Sequence, residues 1–417
     1  MGVHLDLQCP WRCVVGSGHH GYTDLVRVEF TANPCVSFLC RRVAIRAVLL
    51  VDTAVQQVNL YVHFPFCRSK CAYCALKSRA GSTAGDRAAY VARIADEVRK
   101  RVSAKLDTVY FGGGTPALCD LRPLFDTLRG NLAPDAEFTV ELHPSDVTPD
   151  MLACLAEGGV NRISLGVQSF DEATLARMGR RHTSAEAVES FESIRRVFPN
   201  SGFDLIVGYP VPAESAPLRT WLTPILERLC PAHVSVYSLI REPGTLLDRD
   251  VRQGKIALPD DDVALDEVAE AERILDAAGL RRYEISNYAR PGMECRHNCA
   301  VWRGEDYLGL GDGAHGREGF VRTTGEGDIY SRETLSPLAD ALERELLALR
   351  TRWGFDPDAA IRRHPVLEQC RTAWMRELAF DEAQGLVFRR DGAYVLTSRG
   401  REVCDAVTEG LYPLGGY

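Results

Sequence analysis

Residues 61–74 read Tyr61-Val-His-Phe-Pro-Phe-Cys67-Arg-Ser-Lys-Cys71-Ala-Tyr-Cys74 and contain three cysteines at the spacing C-x-x-x-C-x-x-C. Three soft sulfur ligands on one short loop can each reach a different iron of a single cubane cluster. A cluster that only carries electrons normally has a cysteine on every iron, so this loop leaves one iron open for a substrate. The spacing therefore predicts a catalytic 4Fe-4S centre whose ligands are Cys67, Cys71 and Cys74.

A structural zinc site is the main alternative for these cysteines. Such sites have four closed ligands, usually from two C-x-x-C-like pairs, and no second pair stands at a suitable spacing in this sequence. His63 can supply a fourth ligand. A non-enzymatic zinc or regulatory module therefore stays open as an alternative.

The composition predicts a globular protein with one large α/β domain and a smaller one, because the 417 residues are 46% hydrophobic and 25% charged. The net charge of -8 argues against a general affinity for nucleic acid, and we expect no nucleic-acid partner. No apolar run reaches the roughly 20 residues of a membrane-spanning helix, and no secretory signal is recognisable. Fourteen cysteines in so long a chain fit a reducing interior, so we expect a cytoplasmic protein.

The chain divides into three parts by pattern. Residues 1–57 show little periodicity, and we interpret them as an N-terminal extension and a candidate for disorder. From Val58 onward, strands alternate with helices. The predicted strands are Val58–His63, Thr108–Phe111, Glu137–Leu142, Arg162–Val167, Gly202–Val207 and His233–Leu239. The predicted helices between them are Asp86–Val102, Leu121–Leu128, Pro149–Ala156, Ser184–Val197 and Leu218–Leu229.

This alternation implies parallel pairing through right-handed crossovers, hence a barrel or a doubly wound sheet. Polar and glycine-rich residues follow nearly every strand, which favours a barrel with its site at the carboxyl ends of the strands. Residues 58–328 would form this domain, with a dense mix of glycine, aromatic and charged residues at 290–316 as an ordered functional loop. Residues 329–417 predict helices and a hairpin turning at Arg390-Asp-Gly, a winged-helix-like α+β domain with a docking or covering role.

Several strand ends carry residues suited to ligand binding. Gly112-Gly-Gly-Thr-Pro116 lets the backbone approach a ligand closely, since glycine adopts φ values that other residues avoid. Glu141 can accept hydrogen bonds, and Gln168 can both donate and accept them.

The cysteine loop resembles that of the radical S-adenosylmethionine (radical SAM) enzymes, in which the open iron takes the amino and carboxylate groups of the methionine moiety. The flanking Tyr-Val-His-Phe-Pro-Phe-Cys resembles the branch that contains oxygen-independent coproporphyrinogen III oxidases and HemW-type haem chaperones. The resemblance implies a partial (β/α)6 barrel, six-stranded and incompletely closed. It also implies cleavage of S-adenosylmethionine to a 5′-deoxyadenosyl radical.

The resemblance further implies which residues bind the cofactor, position by position. The glycine run matches the motif that holds the methionine part, and Glu141 matches a glutamate of the family. By the same resemblance Arg180 would face the cofactor carboxylate, which its guanidinium fork suits. No catalytic side chain is assigned. The expected cofactor-binding residues are Tyr61, Gly113, Gly114, Thr115, Glu141, Gln168, Arg180 and Asp204.

A second motif concerns haem. His297-Asn-Cys-Ala-Val-Trp302 resembles the H-N-x-x-Y-W motif of HemW-type proteins, with Val301 in place of the tyrosine. An imidazole is a natural axial ligand of haem iron, so His297 is the expected haem ligand and Trp302 can pack on the porphyrin. Cys295 and Cys299 flank the histidine as alternative thiolate ligands, and a purely structural role of His297 in the loop also stays open.

These resemblances together predict a HemW-type radical SAM protein with haem as cargo and apo-haemoproteins as acceptors. An electron donor such as a flavodoxin or ferredoxin is implied, and a peripheral membrane contact stays open. Coproporphyrinogen oxidases, the strongest alternative, have an additional cysteine two residues after the third, where this chain has Leu76. Coproporphyrinogen oxidase activity is therefore not expected. Radical-dependent haem methylation or ring opening is a further alternative.

Overall fold

The computed structural model describes residues 58–211, 215–327 and 329–413, and the predicted extension 1–57 lies outside the described residues. The strands are β1 (Val58–Phe64), β2 (Leu106–Gly113), β3 (Leu132–Leu142), β4 (Arg162–Gln168), β5 (Ser201–Val207), β6 (His233–Ser238), β7 (Arg281–Arg282), β8 (Asn287–Ala289), β9 (Tyr307–Leu310), β10 (His315–Glu318), β11 (Val321–Glu326), β12 (Ile329–Thr334), β13 (Val387–Arg390) and β14 (Ala393–Leu396). The helices are α1 (Ala84–Arg101), α2 (Arg122–Leu128), α3 (Pro149–Glu157), α4 (Glu172–Met178), α5 (Ser184–Val197), α6 (Leu218–Leu229), α7 (Leu246–Arg252), α8 (Asp261–Ala277), α9 (Arg296–Trp302), α10 (Pro337–Leu346), α11 (Pro357–Arg363), α12 (Arg371–Ala383), α13 (Ser398–Glu402) and α14 (Cys404–Gly410).

The main sheet has the strand order β12-β11-β10-β9-β1-β2-β3-β4-β5-β6-β8-β7. Strands β1 to β6 pair in parallel with their neighbours, as helical crossovers on one side of the sheet require. They coincide with the six predicted strands, and the predicted α/β partial barrel is confirmed. Antiparallel strands β8 and β10 to β12 extend the parallel part at its two edges.

Strand β1 shows how the sequence separates the core from the lumen. Leu60, Val62 and Phe64 are fully buried in the hydrophobic core under the helices. The alternate residues Tyr61 and His63 line a cavity on the opposite face, because side chains alternate along a strand. Helix α1 packs on the core side, and its first turn is closed by a capping box.

The segment 290–316, expected as an ordered loop, contains regular secondary structure. It forms helix α9 and strand β9, which pairs in parallel with β1 from Asn59↔Tyr307 to Val62↔Leu310. Helix α9 lacks a local side-chain cap at Cys295, so its sequence carries no start signal. Its cap is supplied by Glu137 on the distant strand β3.

The C-terminal region has its own hydrophobic core around Phe355, Trp374 and Leu378. Strands β13 and β14 form the predicted hairpin, with positive φ at Asp391 (52°) and Gly392 (91°) as a type I′ turn requires. Two short helices, α13 and α14, follow the hairpin and are divided at Val403. Strand β12 pairs with β11 and thus continues the main sheet past residue 328.

In the part of the chain described, no helix is both long and apolar enough to cross a membrane.

Candidate functional site

The cysteine loop follows β1 and borders a cavity of about 770 Å³ at the carboxyl ends of the strands, here called the cysteine cavity. Backbone hydrogen bonds fix the loop, from Cys67 N–H to the Arg79 carbonyl (3.0 Å) and from Ala72 N–H to the Met178 carbonyl (3.0 Å). The cavity brings together ten of the predicted site residues. They are Cys67, Cys71, Cys74, Gly113, Gly114, Thr115, Glu141, Gln168, Arg180 and Asp204.

The glycine run is hydrogen-bonded to the cysteine loop. The Gly114 N–H donates to the Phe64 carbonyl (2.7 Å), and the Thr115 N–H donates to the Phe66 carbonyl (2.7 Å). A Cβ atom at Gly114 would lie 2.5 Å from the Phe66 carbonyl oxygen and 3.0 Å from Cys67 Sγ. Glycine is therefore required here because the two loops approach each other closely.

Two half-buried carboxyl groups face the cysteine cavity. Glu141 accepts hydrogen bonds from the Tyr110 hydroxyl (2.8 Å) and the Gly113 N–H (3.0 Å), and Asp204 accepts one from the Ser164 hydroxyl (3.0 Å). Burial, with repulsion from Asp204 second, raises the pKa of Glu141 to about 7, and burial also raises the pKa of Asp204. Such carboxyl groups suit a cationic ligand, which would favour their ionised forms.

Arg180 links the cysteine loop to strand β4. Its guanidinium donates to the Gly166 carbonyl and, at 3.5 Å, to Cys71 Sγ, while its buried Nε has no partner among the described residues. Gln168, at the end of β4, has a φ of 78°, which is uncommon for a residue other than glycine. Such a backbone conformation persists only where the surrounding structure maintains it, and it often occurs at ligand sites.

The three thiols border one cavity, and among the described residues no group of three or more His, Cys, Asp or Glu side chains is placed to hold a single metal ion. Cys67, Cys71 and Cys74 are free, partly exposed and border one cavity. His63 cannot act as the fourth ligand in this arrangement. Its Nε2–H donates to the Lys77 carbonyl (2.9 Å), and its Nδ1 accepts from the Tyr61 hydroxyl (3.0 Å). Burial raises the pKa of the Cys67 and Cys74 thiols, so metal binding there must release protons.

A second cavity of about 690 Å³ adjoins the first and shares Leu76, Glu141 and Tyr237 with it. We call it the histidine cavity, because the imidazole of His297 forms part of its wall. Its wall also contains the indole of Trp302 and the phenol rings of Tyr61, Tyr110, Tyr237 and Tyr307. The predicted residues Tyr61 and His297 thus lie in this cavity, whereas the other predicted residues lie in the cysteine cavity.

His297 is held from two sides. Its backbone N–H donates to Glu137 Oε1 (3.0 Å), and its ring Nδ1 lies 2.7 Å from the Thr108 hydroxyl. Burial, followed by the charge of Arg162, lowers the pKa of His297 to about 3. The imidazole is therefore neutral at physiological pH, which is the form that binds a metal.

The alternative thiolate ligands do not lie in the histidine cavity. Cys295 is fully buried, and its thiol donates to Glu137 (3.5 Å). Cys299 borders a different cavity beside Arg303 and Trp353. Trp302, by contrast, lines the histidine cavity, and the Arg350 guanidinium lies 5.2 Å from its ring centroid.

Sequence reasoning missed two cavity residues. His143 lines the cysteine cavity, and its ring centroid is 5.1 Å from that of His182. Tyr237 lines both cavities. Both residues lie at or just beyond the carboxyl end of a strand, β3 and β6, and that position was the available signal.

A family model described as the Radical SAM superfamily matches residues 61–217. The heme chaperone HemW of Mycobacterium tuberculosis strain H37Rv is 35% identical over 385 residues, or 85% of this chain and 95% of that protein. The heme chaperone HemW of Escherichia coli K12 is 37% identical over 282 residues, or 64% and 73%. The mitochondrial radical S-adenosyl methionine domain-containing protein 1 of Bos taurus is 36% identical over 273 residues, or 63% and 61%.

A solved structure also resembles the chain. Coproporphyrinogen III oxidase (HemN) from Escherichia coli, described as a radical SAM enzyme, superposes with a TM-score of 0.72 at 21% identity. The match covers 85% of this chain and 90% of that chain. At this level of identity the likeness concerns the fold alone.

Proposed function

Because this chain belongs to the HemW family of radical SAM proteins, we propose that it binds haem and transfers it to acceptor apo-haemoproteins. The observation that carries the proposal is the neutral imidazole of His297 in the wall of a large aromatic cavity. This cavity adjoins a second one that carries the three cysteines. The proposed haem ligand and the proposed cluster site would thus lie side by side.

The cysteine cavity would hold the cluster and S-adenosylmethionine. Cys67, Cys71 and Cys74 would bind three irons, and the glycine run would hold the methionine part. Glu141 and Asp204 would face the cationic groups, and Arg180 the carboxylate. When bound and reduced, the cluster would supply the one electron that cleaves S-adenosylmethionine, and this cleavage would yield methionine and a 5′-deoxyadenosyl radical. The chain's own tasks are to orient the cofactor and to exclude water from it.

The histidine cavity suits haem in size and character. Its volume of about 690 Å³ lies within the roughly 300–1,000 Å³ typical of cofactor sites. Aromatic rings of Tyr61, Tyr110 and Trp302 provide flat apolar walls. Arg350 and Lys77 also border it and can pair with propionate groups. A haem bound there would adjoin the cysteine cavity through Glu141 and Tyr237.

The alternative function is oxidative decarboxylation of coproporphyrinogen III. Leu76 argues against this function, because those oxidases have an additional cysteine at that position. The Leu76 side chain lines both cavities. The decisive experiment incubates the reconstituted, anaerobic protein with coproporphyrinogen, S-adenosylmethionine and a reductant. Stoichiometric or better vinyl formation would reject the chaperone assignment, whereas the proposal expects unchanged porphyrinogen.

Transfer itself needs a separate measurement. The haem-loaded protein is mixed with an excess of an apo-haemoprotein, and the Soret spectrum of the acceptor is followed after separation. We expect the acceptor to gain haem faster than from a haem–albumin donor at the same concentration. Analysis of iron, sulfide and zinc in anaerobically purified protein tests the zinc alternative, which requires one zinc and no sulfide.

A further inference from the structure

The ring of His297 lies against the neighbouring strands β1 and β2. Asn59 pairs with Thr108, and Tyr61 pairs with Tyr110, across strands β1 and β2. The ring centroid of His297 is 5.3 Å from that of Tyr110 and 6.4 Å from that of Tyr61. Thr108 thus contacts one edge of the imidazole, and Asn59 lies behind Thr108. Tyr61 and Tyr110 pack beside the imidazole ring.

The donor and the acceptor can be assigned for each hydrogen bond of Asn59 and Thr108. Asn59 Nδ2 lies 3.1 Å from the Asp306 carbonyl and 3.4 Å from a Glu305 carboxylate oxygen. Both of these groups can only accept, so this end of the amide is the NH₂ group and the other end is the oxygen. The Thr108 hydroxyl, 2.8 Å from Asn59 Oδ1, must therefore donate its hydrogen to that oxygen.

The direction of these bonds determines the tautomer of His297. The hydroxyl of Thr108 has one hydrogen, and Asn59 accepts it, so toward His297 Nδ1 (2.7 Å) the hydroxyl oxygen can only accept. Nδ1 must then carry the ring hydrogen, and Nε2 keeps its lone pair. Nε2 has no hydrogen-bond partner among the described residues, and the ring borders the histidine cavity.

We propose that Asn59 and Thr108 are positioning residues that fix His297 as the Nδ1–H tautomer, so that the Nε2 lone pair faces the cavity as a preformed ligand for haem iron. The haem part of this inference rests on the proposed function. The tautomer part concerns the haem-free protein alone. Partners that orient a ligating histidine in this way typically change metal affinity by about 10–100-fold when they are removed.

The first test is ¹⁵N NMR of the full chain labelled at histidine, with its cluster reconstituted and without haem. The signals of His297 are assigned by comparison with His297→Ala. We expect a protonated Nδ1 and an unprotonated Nε2 at pH 7. A protonated Nε2 would overturn the inference and would leave haem binding itself unaffected.

The second test is a haem titration of three proteins. Thr108→Val replaces the hydroxyl by a methyl group of similar size, and we expect the Kd for haem to rise by about 10–100-fold. Thr108→Ser keeps the hydroxyl and should retain the wild-type Kd and Soret maximum. Equal binding by Thr108→Val and wild type would contradict the positioning role. If wild type itself binds no haem, the proposed function fails, while the NMR result still decides the tautomer.

Discussion

Glu137 on strand β3 accepts the backbone N–H of His297 at 3.0 Å, and its second oxygen accepts that of Arg296 at 3.0 Å. A carboxylate from the sheet thus caps helix α9, which carries the motif from His297 to Trp302. Capping by an acidic group also suits the positive end of the helix dipole. The contact fixes the motif relative to the strands that form the cavity wall.

Removal of this cap should loosen the motif helix. Glu137→Ala leaves two N–H groups without an acceptor, each worth about 1–3 kcal/mol when buried, and should lower both the free energy of unfolding and haem affinity. Glu137→Gln retains one acceptor oxygen and should lose less. Urea unfolding and haem titration measure the two effects.

Asp135→Ala provides the control for Glu137. Its side chain is exposed and lies 3.7 Å from Arg296, so its loss should change the free energy of unfolding by no more than about 0.5 kcal/mol. If Glu137→Ala behaves like Asp135→Ala, the capping role is wrong.

Gly114→Ala should damage the cluster site. The new Cβ would lie 2.5 Å from the Phe66 carbonyl and 3.0 Å from Cys67 Sγ, so the cysteine loop must move. We expect a loss of about 1–3 kcal/mol in stability and a fall in iron and sulfide per chain after reconstitution. Gly130→Ala is the matched control, since no heavy atom lies within 4 Å of its added Cβ. Equal iron content in the two variants would show that the close approach is unimportant.

Glu141→Gln should change the free energy of unfolding by an amount that depends on pH. Burial raises the pKa of Glu141 from 4.5 to about 7 in the folded protein, so between these values the folded state binds more protons than the unfolded state. Stability contributed by this group is therefore lost as the pH rises from about 4.5 to about 7. The variant should exceed wild type in the free energy of unfolding at pH 8, by at most about 3 kcal/mol, and the difference should shrink toward pH 5.

The same variant should bind S-adenosylmethionine more weakly, because it lacks a carboxylate for the cationic ligand. Urea unfolding at pH 5 and 8, with calorimetric titration of S-adenosylmethionine, measures both effects. A stability difference that is independent of pH would mean that Glu141 is not the group that titrates.

The parts of the fold that follow local rules could be predicted from the sequence. Strands β1 to β6 stand out because each is a short apolar run followed by polar or glycine residues, and helices such as α5 begin at a capping box. Helix α9 and strand β9 could not be predicted in this way. The cap of α9 comes from Glu137, 160 positions away from His297, and β9 is stabilised by pairing with β1.

The candidate site was predictable to a similar extent. The cysteines, the glycine run and Glu141 have recognisable spacing or resemblance, and the structure places them around one cavity. The order of hydrogen bonds from Asn59 through Thr108 to His297 depends on strand register, which the sequence does not specify. The roles assigned to individual residues in cofactor binding stay predictions.

The central claim is that the histidine cavity binds haem through His297, and an anaerobic haem titration tests it most directly. Wild type is compared with His297→Ala and with His315→Ala, a second histidine in the wall of the same cavity, and cluster content is measured in all three. We predict that His297→Ala shifts the Soret maximum and raises the Kd about tenfold or more, while His315→Ala retains the wild-type values. Unchanged haem binding by His297→Ala, with its cluster intact, would contradict the account.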